Sequence, residues 1–181
     1  MNKVAVLVGS LRKESINRKF AEALEKLAAG KLEFHYVDIG ALPLYNDDLW
    51  TDPPAAVTKF RDDIGGADAV LFVTPEYNRT YSPAIMNAIH WGSRPYGKSV
   101  WPGKPATITG ATPGAVGTAA AQGALRGLVA GVGTVLMGQA EVYFTYKPEL
   151  FDADGNVVNE DSKKFLQGFV DKFSAWIDKT K

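Results

Sequence analysis

Cysteine is absent from the 181-residue chain. That removes a thiol nucleophile, a cysteine-ligated iron–sulfur cluster and a structural disulfide in one step. Histidine is nearly as scarce. His35 and His90 are the only two, and neither stands in a metal-ligating spacing. Net charge is missing as well, since 20 Lys and Arg balance 20 Asp and Glu. A nucleic-acid binder needs a basic face, and a carrier that docks on basic redox partners needs an acidic one; the composition supplies neither. No apolar run approaches the roughly 20 residues of a membrane helix. Near the amino terminus, Val4–Val8 ends at Gly9-Ser10, with Arg12 and Lys13 behind it and no small-residue cleavage site. The expected location is therefore cytoplasmic.

Apolar residues make up 46% of the chain and charged residues 22%, ordinary values for a globular domain with a sizeable core. Short apolar runs alternate with amphipathic segments. Val4–Val8, Leu32–Val37, Ala69–Val73, Pro105–Thr109 and Gly133–Met137 read as strands. Helices are expected over Asn17–Ala29, from Pro53-Pro54 to Ile64, from Pro83 to Trp91, from Gly117 to Ala130 and over Ser162–Ile177. Asp154-Gly155 marks a hairpin turn inside Phe151–Val158. Five strand–helix units in series predict one α/β domain over residues 1–181: three layers, with a doubly wound parallel sheet between helices. Ligands of such sheets sit beyond the carboxyl ends of the strands, which directs attention to three loops.

The first loop reads Gly9-Ser10-Leu11-Arg12-Lys13-Glu14-Ser15-Ile16-Asn17. Hydroxyls, a cation and the free N–H groups of a helix start converge there, a combination suited to an anion. It lacks the G-x-G-x-x-G of a dinucleotide site, so a terminal phosphate fits better than a pyrophosphate. The same residues also fit a plain helix start, with Ser15 as N-cap and Arg12 solvated. The second loop, Thr74-Pro75-Glu76-Tyr77-Asn78-Arg79-Thr80-Tyr81-Ser82-Pro83, offers rings, an amide and a backbone stiffened by proline. It suits a flat heteroaromatic ligand, or else is a rigid turn with packed tyrosines. The third, Gly110-Ala111-Thr112-Pro113-Gly114-Ala115-Val116-Gly117, lets backbone N–H groups approach a ligand edge; alone it says little.

Taken in order, Gly9-Ser10-Leu11-Arg12-x-x-Ser15-x-Asn17, Pro75-Glu76-Tyr77-Asn78, and Pro83 with Asn87-Ala88-Ile89-x-Trp91 resemble the NADPH-dependent FMN reductase family, in its bacterial quinone and chromate reductase branch. The resemblance spans nearly the whole chain. It implies a flavodoxin-like fold of five parallel strands in the order 2-1-3-4-5, with FMN as cofactor and NADPH or NADH as donor. It further implies that Ser10, Arg12, Ser15, Ile16 and Asn17 hold the phosphate, that Pro75, Glu76, Tyr77 and Asn78 line the isoalloxazine, and that Thr112, Gly114 and Gly117 border it. Where the family often has a glycine pair, this chain has Gly117-Thr118.

Three other patterns lead nowhere. Gly92-Ser93-Arg94-Pro95-Tyr96-Gly97-Lys98-Ser99 spells a phosphate-loop motif, yet it follows a helix, contains Pro95 and does not open a helix. Asp152–Asn156 has the wrong spacing for a calcium loop, and Gly127–Gly131 is too short and too close to Arg126 for a membrane helix pair. His90 reads as a packed or capping residue.

The resulting expectation is an NAD(P)H-dependent oxidoreductase acting on quinones, and on chromate incidentally, by a ping-pong cycle. No protein acid or base is assigned, because hydride transfer requires none and the flavin carries the chemistry. The alternatives are a flavodoxin-like electron carrier without its own turnover and a non-enzymatic flavin-binding domain. Three tryptophans, Trp50, Trp91 and Trp101, fall in or next to the loops near the expected site mouth. Such aromatic surface, with the resemblance, predicts a homodimer or homotetramer.

Overall fold

In the computed structural model, which describes all 181 residues, the apolar runs become strands and the amphipathic segments helices. The strands are β1 (Asn2–Val8), β2 (Leu32–Tyr36), β3 (Ala69–Val73), β4 (Pro105–Thr112), β5 (Val135–Leu136) and β6 (Tyr143–Thr145). The helices are α1 (Ile16–Leu27), α2 (Ala55–Gly65), α3 (Pro83–Ser93), α4 (Ala119–Gly131) and α5 (Glu160–Thr180). All strand pairs are parallel, in the order β2-β1-β3-β4-β5, with β6 also on β4. This is the flavodoxin-like order.

Continuous apolar strands are what a sheet covered on both faces requires, and every residue of β3 is buried. Successive side chains alternate between two cores. Val4, Val6, Leu71 and Val73 face α1 and α5 through Phe20, Leu24, Phe169 and Phe173. Ala5, Leu7, Val70 and Phe72 face α2, α3 and α4 through Phe60, Ile89 and Leu125. Each fully buried Leu, Ile or Phe stabilises by about 1.5–3 kcal/mol.

The structure corrects the sequence reading at three places. The fifth sheet position is divided: β5 pairs with the first residues of β4, and β6 pairs with its last three, Gly110–Thr112. Gly138 and the polar Gln139 and Glu141 separate the two pieces, and the sequence reading passes over the strand-forming run Val142–Tyr146 behind them. Strand β4 therefore runs to Thr112 rather than Thr109, held at its end by β6. Phe151–Val158 does turn back at Asp154-Gly155, closed by an antiparallel bridge from Phe151 to Val157.

The third correction concerns the tryptophans. Trp91 and Trp101 are wholly buried, with their indole N–H groups donating to Pro43 O (2.8 Å) and Ile89 O (3.0 Å). Trp50 packs edge-on against Trp91 at 5.2 Å. Trp91 and Trp101 are thus core, not surface, and only the partly buried Trp50 keeps any exposed ring. Asn87 belongs to the same arrangement. Its amide donates to Pro43 O (2.9 Å) and accepts from Tyr45 N–H (2.8 Å), which fastens the long 37–53 connection to α3.

Candidate functional site

Each of the three loops leaves the carboxyl end of a strand and enters a helix. They are tied to one another pairwise by buried side chains. Ser82, the N-cap of α3, accepts from Ala84 N–H (3.0 Å) and donates to Gly9 O (2.7 Å), which joins the second loop to the first. Asn17 joins the first to the third: its amide N donates to Ala111 O (3.0 Å) and its amide O accepts from Ala111 N–H (2.9 Å). Glu76 joins the second to the start of α4, accepting from Ala121 N–H at 3.1 Å. Gly9 is required for the first of these approaches, because a Cβ there would lie 2.9 Å from Ser82 and 2.8 Å from Ile85.

In the first loop Ser15 is buried and caps α1, accepting from Arg18 N–H at 3.1 Å. The backbone N–H groups from Ser10 through Asn17 have no protein acceptor. Unpaired donors in series at a helix start form a cradle for an anion. Arg12 is exposed and makes no ion pair, whereas Glu14 is engaged by Lys19 at 2.9 Å. A cavity of about 310 Å³ lies beside this loop, lined by Ser10, Arg12, Arg18, Tyr36 and Asp38.

The second loop turns back on itself. Tyr77 and Thr80 exchange both backbone hydrogen bonds at 3.0 Å, with Asn78 at φ 52 and Arg79 at φ 65. Two positive φ values define a type I′ turn, and a non-glycine pair in that region is strained. The Glu76 carboxylate also receives Arg79 at 3.0 Å, with side-chain exposures of 9% and 74% for Glu76 and Arg79. Burial, the strongest single influence, pushes the Glu76 carboxyl up, but the Ala121 N–H and Arg79 together hold it below its usual value. It is a carboxylate at neutral pH.

In the third loop Thr112 Oγ1 accepts from Gly114 N–H (3.4 Å), and Gly114 O accepts from Thr145 on β6 (3.2 Å). Gly117 has φ 58, and its α-carbon lies against the Tyr143 backbone. Thr118 continues the left-handed stretch at φ 66. Glu76, Asn78, Arg79, Thr112, Gly114 and Val116 line one cavity of about 350 Å³ between the second and third loops.

All twelve residues expected to bind cofactor thus lie on three loops or on the adjoining ends of α1 and β4, at one end of the sheet, though not all with the role foreseen. The side chain of Asn17 is committed to Ala111 on both sides, which leaves only its backbone N–H free for an anion. The Glu76 carboxylate is committed to α4 and Arg79. Sequence reasoning missed Ser82, although Ser before Pro is a legible N-cap, and missed Thr145, although the β-branched and aromatic run Val142–Tyr146 around it is a strand signal. His90 packs edge-on against Tyr45 at 6.2 Å. In the phosphate-loop look-alike, the carbonyls of Trp91 and Gly92 accept from Arg61 (3.1 and 3.2 Å), as do those of Arg94 and Lys98. A motif whose carbonyls surround a guanidinium offers nothing to phosphate. The largest cavity, about 940 Å³ between α1, β2 and the 146–155 segment, contains none of the twelve residues.

A doubly wound sheet with an anion cradle between its first strand and helix defines the flavodoxin-like class of mononucleotide-binding proteins. Within that class the assignment is specific. Residues 2–149 match the family model of NADPH-dependent FMN reductases. A 2-hydroxy-1,4-benzoquinone reductase from a Burkholderia species is 49% identical over 175 residues, covering 97% of this chain and 96% of that protein. A quinone reductase from Pseudomonas putida is 48% identical, covering 96% and 94%. The solved structure of FerB, a flavoenzyme NAD(P)H:(acceptor) oxidoreductase from Paracoccus denitrificans, superposes with a TM-score of 0.98 at 52% identity, covering 99% of each chain. The chain belongs to the NADPH-dependent FMN reductase family and is an oxidoreductase that uses FMN with a reduced nicotinamide as donor. No helix is long and apolar enough to cross a membrane.

Proposed function

We propose that this chain holds one FMN across the three loops and passes electrons from NAD(P)H to quinones. The observation that carries the reading is the unbroken run of unpaired backbone N–H groups from Ser10 to Asn17. A terminal phosphate supplies the acceptors these donors lack, and the helix start favours its charge. The residues present therefore fit FMN. Ser10, Arg12 and Ser15, with the N–H groups of Ile16 and Asn17, hold the phosphate. Pro75, Glu76, Tyr77 and Asn78 lie along the ring, and Thr112, Gly114 and Gly117 border its far edge.

Bound FMN supplies the hydride chemistry, and the protein supplies binding, orientation and electrostatics. The pairwise ties among the loops keep the site rigid, so orientation costs little when substrate arrives. No side chain is assigned as acid or base. The names of the similar proteins support a quinone as acceptor, with chromate as an incidental one. Donor and acceptor would take the same place at the bound flavin in turn, so initial rates would give parallel double-reciprocal lines; intersecting lines exclude this order. Dependence on reduced nicotinamide supports a cytoplasmic location. The chain works as a homodimer or homotetramer, supported by exposed Leu44 (84%) and Tyr96 (95%) on segments flanking α3. Sedimentation at micromolar concentration tests this, and a single species near 19.5 kDa rejects it.

The deciding experiment titrates the apoprotein with FMN and with riboflavin, then adds NADPH and benzoquinone to the loaded protein. FMN binds at least about tenfold tighter, since a charge-assisted hydrogen bond contributes about 1.5–3 kcal/mol. Equal affinities reject the phosphate site. Steady NADPH oxidation supports the reductase, whereas one stoichiometric turnover points to an electron carrier.

A further inference from the structure

The three ties that hold the loops together differ in one respect. Ser82 and Asn17 are neutral, whereas Glu76 carries a charge in a place where a neutral side chain would make the same hydrogen bond. Helix α4 needs an acceptor at its start, because its own N-cap residue, Thr118, makes no capping bond; its hydroxyl instead accepts from Gln122 at 2.9 Å. Glu76 provides that acceptor from the second loop, over 45 residues of separation. Its side chain is 9% exposed, while the Arg79 that pairs with it is 74% exposed. The carboxylate is therefore poorly screened by solvent and its counter-ion well screened. The same carboxylate lines the cavity between the second and third loops, with Asn78, Thr112 and Gly114.

We propose that Glu76 is a positioning residue with an electrostatic duty: it fastens the second loop to α4, and its charge lowers the reduction potential of the FMN held between those loops. The inference rests on the functional reading above. A hydride brings two electrons and one proton, hence one net negative charge, from the nicotinamide into the ring system. A fixed carboxylate at the border of the site opposes that gain, and opposes it more than water would because the site is partly desolvated. The start of α4, capped by Glu76, cannot act as a bare positive end that would favour the added charge. A lower potential makes the reduced cofactor a stronger donor to the acceptor that follows.

The test is the midpoint potential of the FMN-loaded protein, measured against an indicator dye, for wild type, Glu76→Gln and Arg79→Ala. Glu76→Gln keeps an acceptor oxygen for Ala121 and removes the charge. It raises the ratio of reduced-FMN to oxidised-FMN affinity about tenfold, which is about 30 mV upward for a two-electron couple. Arg79→Ala removes the exposed counter-ion and moves the potential the other way, by a smaller amount. A residue that merely caps a helix would weaken both redox states alike and leave the potential in place. An unmoved or lowered potential in Glu76→Gln overturns the inference and leaves the functional reading standing. A wild-type protein that takes up no FMN overturns both. If Glu76→Gln takes up no FMN, Arg79→Ala decides: a lowered potential supports the inference and an unchanged one overturns it.

Discussion

The two ends of the sheet are built on opposite terms. At the amino ends of the strands, polar groups are paired. Lys3 N–H donates to Asp68 (2.8 Å), Lys104 donates to Ala67 O (2.6 Å), Gly103 N–H to Gly133 O (2.8 Å) and Lys181 to Asp68 (2.6 Å). At the carboxyl ends, backbone donors from Ser10 to Asn17 are left open, and Asn78, Arg79 and Thr118 are held at positive φ. One end is finished by the chain itself; the other leaves its donors free for a ligand. Unpaired donors and strained turns persist only where surrounding structure overdetermines them, and the ties through Ser82, Asn17 and Glu76 do so here.

Substituting residues at each end separates the two kinds of construction. The largest effect is expected for Asn17→Ala, which orphans the buried N–H and C=O of Ala111 and unties the first loop from the third. Stability falls by about 3 kcal/mol, read as a lower urea midpoint, and FMN affinity falls with it. A variant as stable as wild type contradicts the role given to Asn17. Arg12→Ala sits in the same loop but touches no protein partner, so the urea midpoint stays put while FMN affinity drops about tenfold. Isothermal titration reads the affinity, and riboflavin serves as the control whose binding does not change.

At the opposite end Asp68→Asn has the smallest effect. The Lys181 ammonium, followed by the Lys3 N–H, holds the Asp68 carboxyl below its usual value. A depressed carboxyl contributes stability above its unfolded value of about 3.9, and that contribution is lost as pH falls through the lower folded value. With both partners partly exposed, the contribution is about 0.5–1 kcal/mol. Asp68→Asn therefore lowers thermal stability slightly at pH 7, converges with wild type below about pH 4, and leaves FMN affinity unchanged. A loss of FMN binding in that variant would erase the distinction between the two ends.

Much of this molecule could be read in the linear chain because the signals are local. Val4–Val8 and Ala69–Val73 are apolar throughout, Ser15 and Ser82 stand where caps belong, and Pro83 opens α3. The loops that carry the site were legible for the same reason, since each lies between a strand and a helix that announce themselves. What stayed hidden depends on partners distant in sequence. Val142–Tyr146 is a run of β-branched and aromatic residues that suits a strand, but its place in the sheet is set by the distant free end of β4, and only Tyr143–Thr145 pair there. Trp91 and Trp101 look like loop-edge aromatics until the connection through Pro43 and the far side of α3 enclose them. Asn17 and Glu76 look like ligand residues, and only the fold shows their side chains turned to Ala111 and Ala121.

The sequence alone thus determined the alternation of strands and helices, and with it the parallel sheet, the handed crossovers and the end at which the site must lie. Those follow from backbone propensity and from the spacing of apolar side chains, which act over a few residues. Tertiary structure decided which polar side chains are tied up between the loops and which are left free for a ligand. A hydrogen bond between residues 94 positions apart, such as Asn17 to Ala111, exists only after the chain has closed.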